Sequence, residues 1–165
     1  MTVPQAYRPA QIWLHWIVVL GVILQIAIHE PIVRVLAARD AGTAADASDV
    51  TLAWVHVSIG SVIMLAVIAR LILRWRHGAP AHVPGMSETQ GRQASAMHAA
   101  LYGLLLGMVV TGMLTWNGIA PLGSVHFAIN IALFFAALAH AAAAIYNQIV
   151  RKDGTLARMK PRFRV

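Results

Sequence analysis

Q-A-S-A-M-H-A-A-L-Y-G-L-L-L-G-M-V-V-T-G-M-L-T-W-N-G-I-A-P-L-G-S-V-H-F-A-I-N-I-A-L-F-F-A-A-L-A-H-A-A-A-A-I-Y-N-Q-I-V, residues 93–150, carries no Asp, Glu, Lys or Arg. The hydrocarbon core of a bilayer takes roughly 20 apolar residues per helix, so this stretch is long enough for two spans. Asn117, Gly118, Pro121 and Gly123 supply the turn that divides it. Outward from it, the chain is again free of charge between Pro9 and His29 and between Val50 and Ala69, one span each. The expected architecture is all-α, an integral membrane four-helix bundle with spans near 11–33, 51–73, 93–116 and 122–150. Four spans leave no room for a second, soluble domain, so residues 1–165 are expected to form one unit.

Composition agrees. Of the residues, 59% are hydrophobic and 12% charged, with mean hydropathy +0.67, whereas a soluble domain carries about 25% charge. The first apolar stretch is too long for the core of a signal peptide, has no strongly basic start and contains His15, so it is expected to be a retained helix. The absence of cysteine excludes iron–sulfur clusters, disulfides and thioether-attached haem.

The formal net charge of +7 is better explained by topology than by nucleic acid. Arg8 precedes the first span; Arg70, Arg74, Arg76 and Arg92 lie between the second and third; Arg151, Lys152, Arg158, Lys160, Arg162 and Arg164 follow the fourth. The connection between the first two spans has Arg34 and Arg39 against Glu30, Asp40, Asp46 and Asp49. Basic residues stay on the cytoplasmic side, which predicts both termini inside, in the cytoplasm. Residues 41–49 then form an outer loop, and residues 77–91, with Pro80 and Pro84, the inner connection.

Ionisable side chains at membrane depth are costly and mark function. Here they are histidines: His15, His29, His56, His98, His126 and His140. Neutral imidazole is the expected ligand of an iron porphyrin in a dry site. His126 and His140 are separated by 14 residues, about 21 Å of helix rise and just under four turns, so they point to one side at opposite levels. That suits two stacked haems. A proton wire would need polar groups between them, and the interval is almost wholly apolar. His15 opens the first span at the inner level and matches His140; His56 opens the second at the outer level and matches His126. Two axial histidines saturate an iron, leaving a centre that passes electrons and makes no bonds to substrate.

Supporting residues follow. Ser58, Gly60 and Ser61 near His56, Gly103 and Gly107, and Ala136, Ala137, Ala139 and Ala141 to Ala144 around His140 offer faces without bulk, for a macrocycle or for close helix packing. Arg70 shares the face of His56 at the inner level and is the first candidate for a haem propionate, with Arg74 second; both also serve as positive-inside anchors. Trp13, Trp16, Trp54, Trp75 and Trp116 lie near span ends, as an aromatic belt does.

Two histidines leave alternatives open. His29 follows His15 by the same 14 residues and competes with His56 for the outer site. His98, at the inner end of the third span, competes with His15 and His140, or serves as a hydrogen-bonding neighbour or part of a quinone pocket. His77 and His82 are expected to be solvated.

I-W-L-H-W around His15, V-H-V-S-I-G around His56, A-R-L-I-L-R over 69–74, L-A-H-A-A-A-A around His140 and R-K-D-G-T-L-A-R-M-K-P-R-F-R at the tail resemble the bacterial cytochrome b561 family, which includes superoxide oxidase. The resemblance implies a four-helix bundle with two bis-histidine b haems, on His15 with His140 and His56 with His126, and favours His56 over His29. Around His126 the family pattern reads W-H-E where this chain reads Val125-His126-Phe127. The missing Trp and acid lie at the outer face, which tells against superoxide as donor more than against haem.

The leading expectation is electron transfer between an external one-electron donor, by resemblance superoxide, and the ubiquinone pool. Trp116 and Asn117 at the outer turn, or His98 and Arg92 at the inner face, are the places for quinone. A second class is a membrane-anchor cytochrome b linking quinone to a partner hydrogenase, dehydrogenase or cytochrome c. A remote third, a haem-free metal-ion transporter, would place carboxylates at mid-membrane, and this chain places none.

Overall fold

The computed structural model describes residues 7–83 and 85–161; Pro84, Arg162 and Arg164 lie outside the described residues. Five α-helices follow in order: α1 Pro9–Ala27, α2 Glu30–Asp40, α3 Ala47–His77, α4 Glu88–Trp116 and α5 Gly123–Ile149, with a short 3-10 turn at Leu156–Met159. Among the described residues there is no strand. Four of the helices, with 19, 31, 29 and 27 residues, are long and apolar enough to cross a membrane. Even the shortest rises about 28 Å at 1.5 Å per residue, close to the roughly 30 Å of hydrocarbon.

The first span is shorter than the sequence suggests. Pro31 has no N–H to donate to the Ala27 carbonyl, and its ring clashes with that carbonyl, so α1 ends at Ala27 and the chain turns through Ile28 and His29. Residues 30–40 then form a separate helix, α2, which buries Pro31 and Val35 and packs on α3. Arg34 fastens it there: Nε and Nη2 donate to the two Asp49 carboxylate oxygens at 2.8 and 2.7 Å, and Nη1 to Glu30 at 3.3 Å. The two carboxylates hold the Arg34 guanidinium above its already high ordinary value.

The other boundaries follow caps. Asp46 accepts from the Ser48 backbone N–H at 2.8 Å and its hydroxyl at 2.6 Å, so α3 starts at Ala47 and the loop read as 41–49 narrows to 41–46. Ser87 and Gln90 form a reciprocal capping box, the Ser87 N–H donating at 3.0 Å and the Gln90 N–H at 3.3 Å, which starts α4 at Glu88 and shortens the connection read as 77–91 to 78–87. Gly118, at φ 68°, takes the left-handed conformation the α4–α5 turn requires.

Helix α1 packs on α3, α4 on α5, and α3 on α4; α1 and α5 make no comparable contact. At Gly21 the first pair is so close that a Cβ would lie 2.8 Å from Ile63 Cγ1. Val18, Ile63, Ala66 and Val67 form the buried core, with Leu14, Tyr102, Leu105 and Leu106 against it. One end of the bundle is closed by the C-terminal segment. Trp16 Nε1 donates to the Met159 carbonyl at 2.8 Å and Arg158 Nη1 to the Ala81 carbonyl at 2.7 Å. The start of α1, the α3–α4 connection and the C-terminal segment thus share this terminal end.

Candidate functional site

Helical spacing on α3 sets the frame. His56, Ile63, Val67 and Arg70 succeed one another at intervals of seven, four and three residues, so they share a face. The apolar core separates a histidine toward the far end from an arginine at the terminal end.

At the terminal end, the rings of His15 on α1 and His140 on α5 approach each other, although the two helices make no extensive contact. Their ring centroids are 6.4 Å apart with planes at 71°. From α4, His98 approaches the same His140 at 5.3 Å. Arg70 is a charged neighbour of His15, His98 and His140. Its Nη1 donates to the Gln11 carbonyl at 2.6 Å, and its guanidinium carbon lies 6.0 Å from the Tyr102 ring centre. Between α3 and α4 a cleft of about 360 Å³ is lined by Arg74, Ser95, His98 and Tyr102 together with Leu71 and Leu106. Arg92 lies one turn into α4, exposed, with its guanidinium 3.6 Å from Glu88.

At the far end, His56 has His126 and His29 as its titratable neighbours. His56 Nδ1 is buried and makes no hydrogen bond. Gln25 on α1 donates from Nε2 to the His56 carbonyl at 3.0 Å, while its own Oε1 is buried and unpartnered. His126 Nδ1 lies 3.2 Å from the Thr111 hydroxyl of α4. His29 is exposed at the start of α2, its Nδ1 donating to the Ile26 carbonyl at 2.9 Å.

The outer-turn residues considered for quinone are engaged otherwise. Asn117 Nδ2 donates to the Met113 carbonyl of its own helix at 2.8 Å. Trp116 packs edge-on to Trp54, with centroids 5.2 Å apart, and lies 5.6 Å beneath the Arg39 guanidinium, which also donates to the Trp116 carbonyl at 2.8 Å. Gly60 and Gly107 sit against Gln25 and Ile129, the close packing that small residues allow.

Sequence reasoning passed over Thr111, Gly112 and Gln25. Gln25 was findable as the lone amide in the apolar run I-L-Q-I-A. Thr111 was not, because a threonine in a membrane helix ordinarily satisfies itself on its own backbone.

The residues fit an iron porphyrin. Two imidazoles sharing one metal across its axis stand about 6 Å apart between centroids, given metal–nitrogen bonds of about 2 Å on each side, and the His15–His140 separation of 6.4 Å meets this. The buried Nδ1 of His56 has no hydrogen-bond partner among the described residues, and imidazole nitrogen is a donor type that suits iron. Among the described residues no three His, Cys, Asp or Glu side chains converge as a metal-ion site. A haem iron needs only two.

The sequence profile of a family described as prokaryotic cytochrome b561 matches residues 6–162. Cytochrome b561 homolog 1 of Escherichia coli (strain K12) is 27% identical over 94% of this chain and 97% of its own length. Cytochrome b562 of Cereibacter sphaeroides is 30% identical over 98% of this chain and its own full length.

Proposed function

The chain belongs to the prokaryotic cytochrome b561 family, multi-pass membrane cytochromes b that transfer electrons, and we propose on that footing that it is a dihaem cytochrome passing electrons between an external one-electron donor and the ubiquinone pool. The observation that carries this reading is the pair His15 and His140, opposed at 6.4 Å across two helices that do not pack on each other. His15 and His140 hold one haem b, His56 and His126 the other. When bound, haem supplies a one-electron change between ferric and ferrous iron.

The rest is the work of the chain. Arg70, beside His15 and His140, would pair with anionic propionates and favour the less positive, reduced iron; Arg74 in the adjoining cleft is the second such group. The core of Val18, Ile63, Ala66 and Val67 keeps water from the space between the two levels. His98 joins the inner ligand pair to the cleft, 5.3 Å from His140 on one side and lining the cleft on the other. That makes the cleft a better quinone site than the turn at Trp116 and Asn117, where the Trp116 carbonyl and the Asn117 amide N–H are already bonded. Arg92 stays at the mouth, beside Glu88. Clustering of Arg70, Arg74, Arg76, Arg92, Arg151, Lys152, Arg158 and Lys160 toward the terminal end supports its placement in the cytoplasm, in a bacterial inner membrane, with residues 1–165 a single unit.

A second reading concerns the donor. An anion such as superoxide is drawn by free positive charge. On the side of α2, the Arg34 charge is paired with Asp49 and Glu30, and Arg39, which keeps its charge, is held against the Trp116 ring and carbonyl. This favours a membrane-anchor cytochrome fed by a partner protein over one fed by superoxide.

The test is optical and enzymatic. The purified protein should show a reduced-minus-oxidised spectrum of b-type haem, and a colourless preparation would end the reading. Superoxide-dependent reduction of ubiquinone by the isolated protein would support superoxide; its absence, with a redox partner copurifying in mild detergent, would support the anchor.

A further inference from the structure

The four proposed ligands are not held alike. Among the described residues, His126 is the one of them whose ring nitrogen is hydrogen-bonded to a side chain, the Thr111 hydroxyl at 3.2 Å. Thr111 is buried at 8% exposure within α4. Its hydroxyl lies 2.7 Å from the Gly107 carbonyl and 3.1 Å from the Met108 carbonyl. A hydroxyl has one proton and two lone pairs. The short contact to Gly107 takes the proton, because a carbonyl can only accept. What the hydroxyl then offers His126 is a lone pair, so the hydrogen between them belongs to Nδ1. A neutral imidazole with its proton on Nδ1 has its lone pair on Nε2.

Gly112 completes the wall. A Cβ there would lie 3.0 Å from His126 Cε1 and 3.2 Å from Nδ1, so a side chain at this position would push against the ring where it meets Thr111. Thr115, one turn further on, makes the same backbone bond, to the Thr111 carbonyl at 2.9 Å, with no histidine against it. The backbone bond alone is ordinary helix behaviour; the histidine stacked on it and the glycine beside it are what set Thr111 apart.

We infer that Thr111 and Gly112 are positioning residues that hold His126 as its Nδ1–H tautomer, which leaves Nε2 as the ligating nitrogen. The inference rests on the reading of His126 as a haem ligand. A hydrogen bond from the second ring nitrogen fixes ligand orientation and raises its basicity. A more basic imidazole favours ferric over ferrous iron, so the bond lowers the potential of the outer haem.

The experiment is a potentiometric optical titration of the purified dihaem protein, with haem content measured in parallel, for wild type, Thr111→Val, Thr111→Ser and His126→Ala. Thr111→Val keeps the shape and removes the hydroxyl. It should move one of the two midpoints to a more positive value and weaken haem binding at that site by about tenfold or more. Thr111→Ser should restore both properties toward wild type, which a purely structural role of the threonine methyl would not allow. If Thr111→Val does not assemble, Thr111→Ala against Thr111→Ser gives the same contrast. Wild-type midpoints in both hydroxyl-free variants, with His126→Ala losing one haem, overturn the positioning role alone. A His126→Ala protein that keeps both haems overturns the ligand reading, and the inference with it.

Discussion

His15 and His140 oppose each other from α1 and α5 at 6.4 Å between ring centroids, with their planes at 71°. His98 stands nearer to His140, at 5.3 Å, but on the α4 side, where it also lines the cleft with Arg74 and Tyr102. Proximity alone would choose His98 as the partner. The opposed pair is preferred because 6.4 Å lies closer than 5.3 Å to the separation of about 6 Å that two imidazoles on one metal take.

Arg70 ties this site to the fold. Its guanidinium donates to the Gln11 carbonyl at 2.6 Å and is a charged neighbour of both His15 and His140. Arg70→Gln should lower the midpoint of one haem, since removing a positive charge makes reduction harder, and leave the other unchanged. Loss of the charged hydrogen bond should also cost about 1.5–3 kcal/mol of stability, read as a lower thermal unfolding temperature.

Gly21 sets the spacing of α1 and α3. Gly21→Ala would force a Cβ to 2.8 Å from Ile63 Cγ1 and 3.0 Å from Cδ1. Overpacking of this kind costs about 1–3 kcal/mol. Ile63→Val, which removes Cδ1, should recover part of that loss in the double variant, so the two substitutions should be non-additive in thermal denaturation.

Asp46 makes the start of α3 sensitive to acid. Its bonds from the Ser48 hydroxyl and backbone N–H hold its carboxyl below the usual carboxylate range. The folded value is depressed, so the cap's contribution is complete at neutral pH and is lost as pH falls through that lowered value. Protection of the amides in the first turn of α3, taken as exchange relative to the intrinsic rate at each pH, should hold at mildly acid pH and fall only in stronger acid. Asp46→Ala should show the lower protection at every pH, and Asp46→Asn should not.

The spans were legible because the bilayer imposes one rule on all of them, and charges such as Arg92 and Arg151 had to fall outside it. The histidine levels were legible for the same reason: fourteen residues of helix have a calculable rise and a calculable face. Helix α2 was not. Its residues are too polar for a span, and the effect of Pro31 on Ala27 had to be weighed against an apolar run continuing to Val33. Nor could the sequence show that Arg39 reaches Trp116, 77 positions away, or that Thr111 meets His126, because both contacts depend on which helices become neighbours. The relation of His98 to the pair was hidden for a related reason: three histidines at one level are equivalent in sequence, and only the folded chain shows His98 nearer to His140 than His15 is.

The pairing of ligands is tested most directly by the haem-to-protein ratio of the purified wild type and of His15→Ala, His29→Ala, His56→Ala, His98→Ala, His126→Ala and His140→Ala. Two haems are expected in the wild type, in His29→Ala and in His98→Ala, and one in each of the other four. If His98→Ala or His29→Ala lost a haem while His15→Ala or His56→Ala kept both, the pairing of His15 with His140 and His56 with His126 would be contradicted.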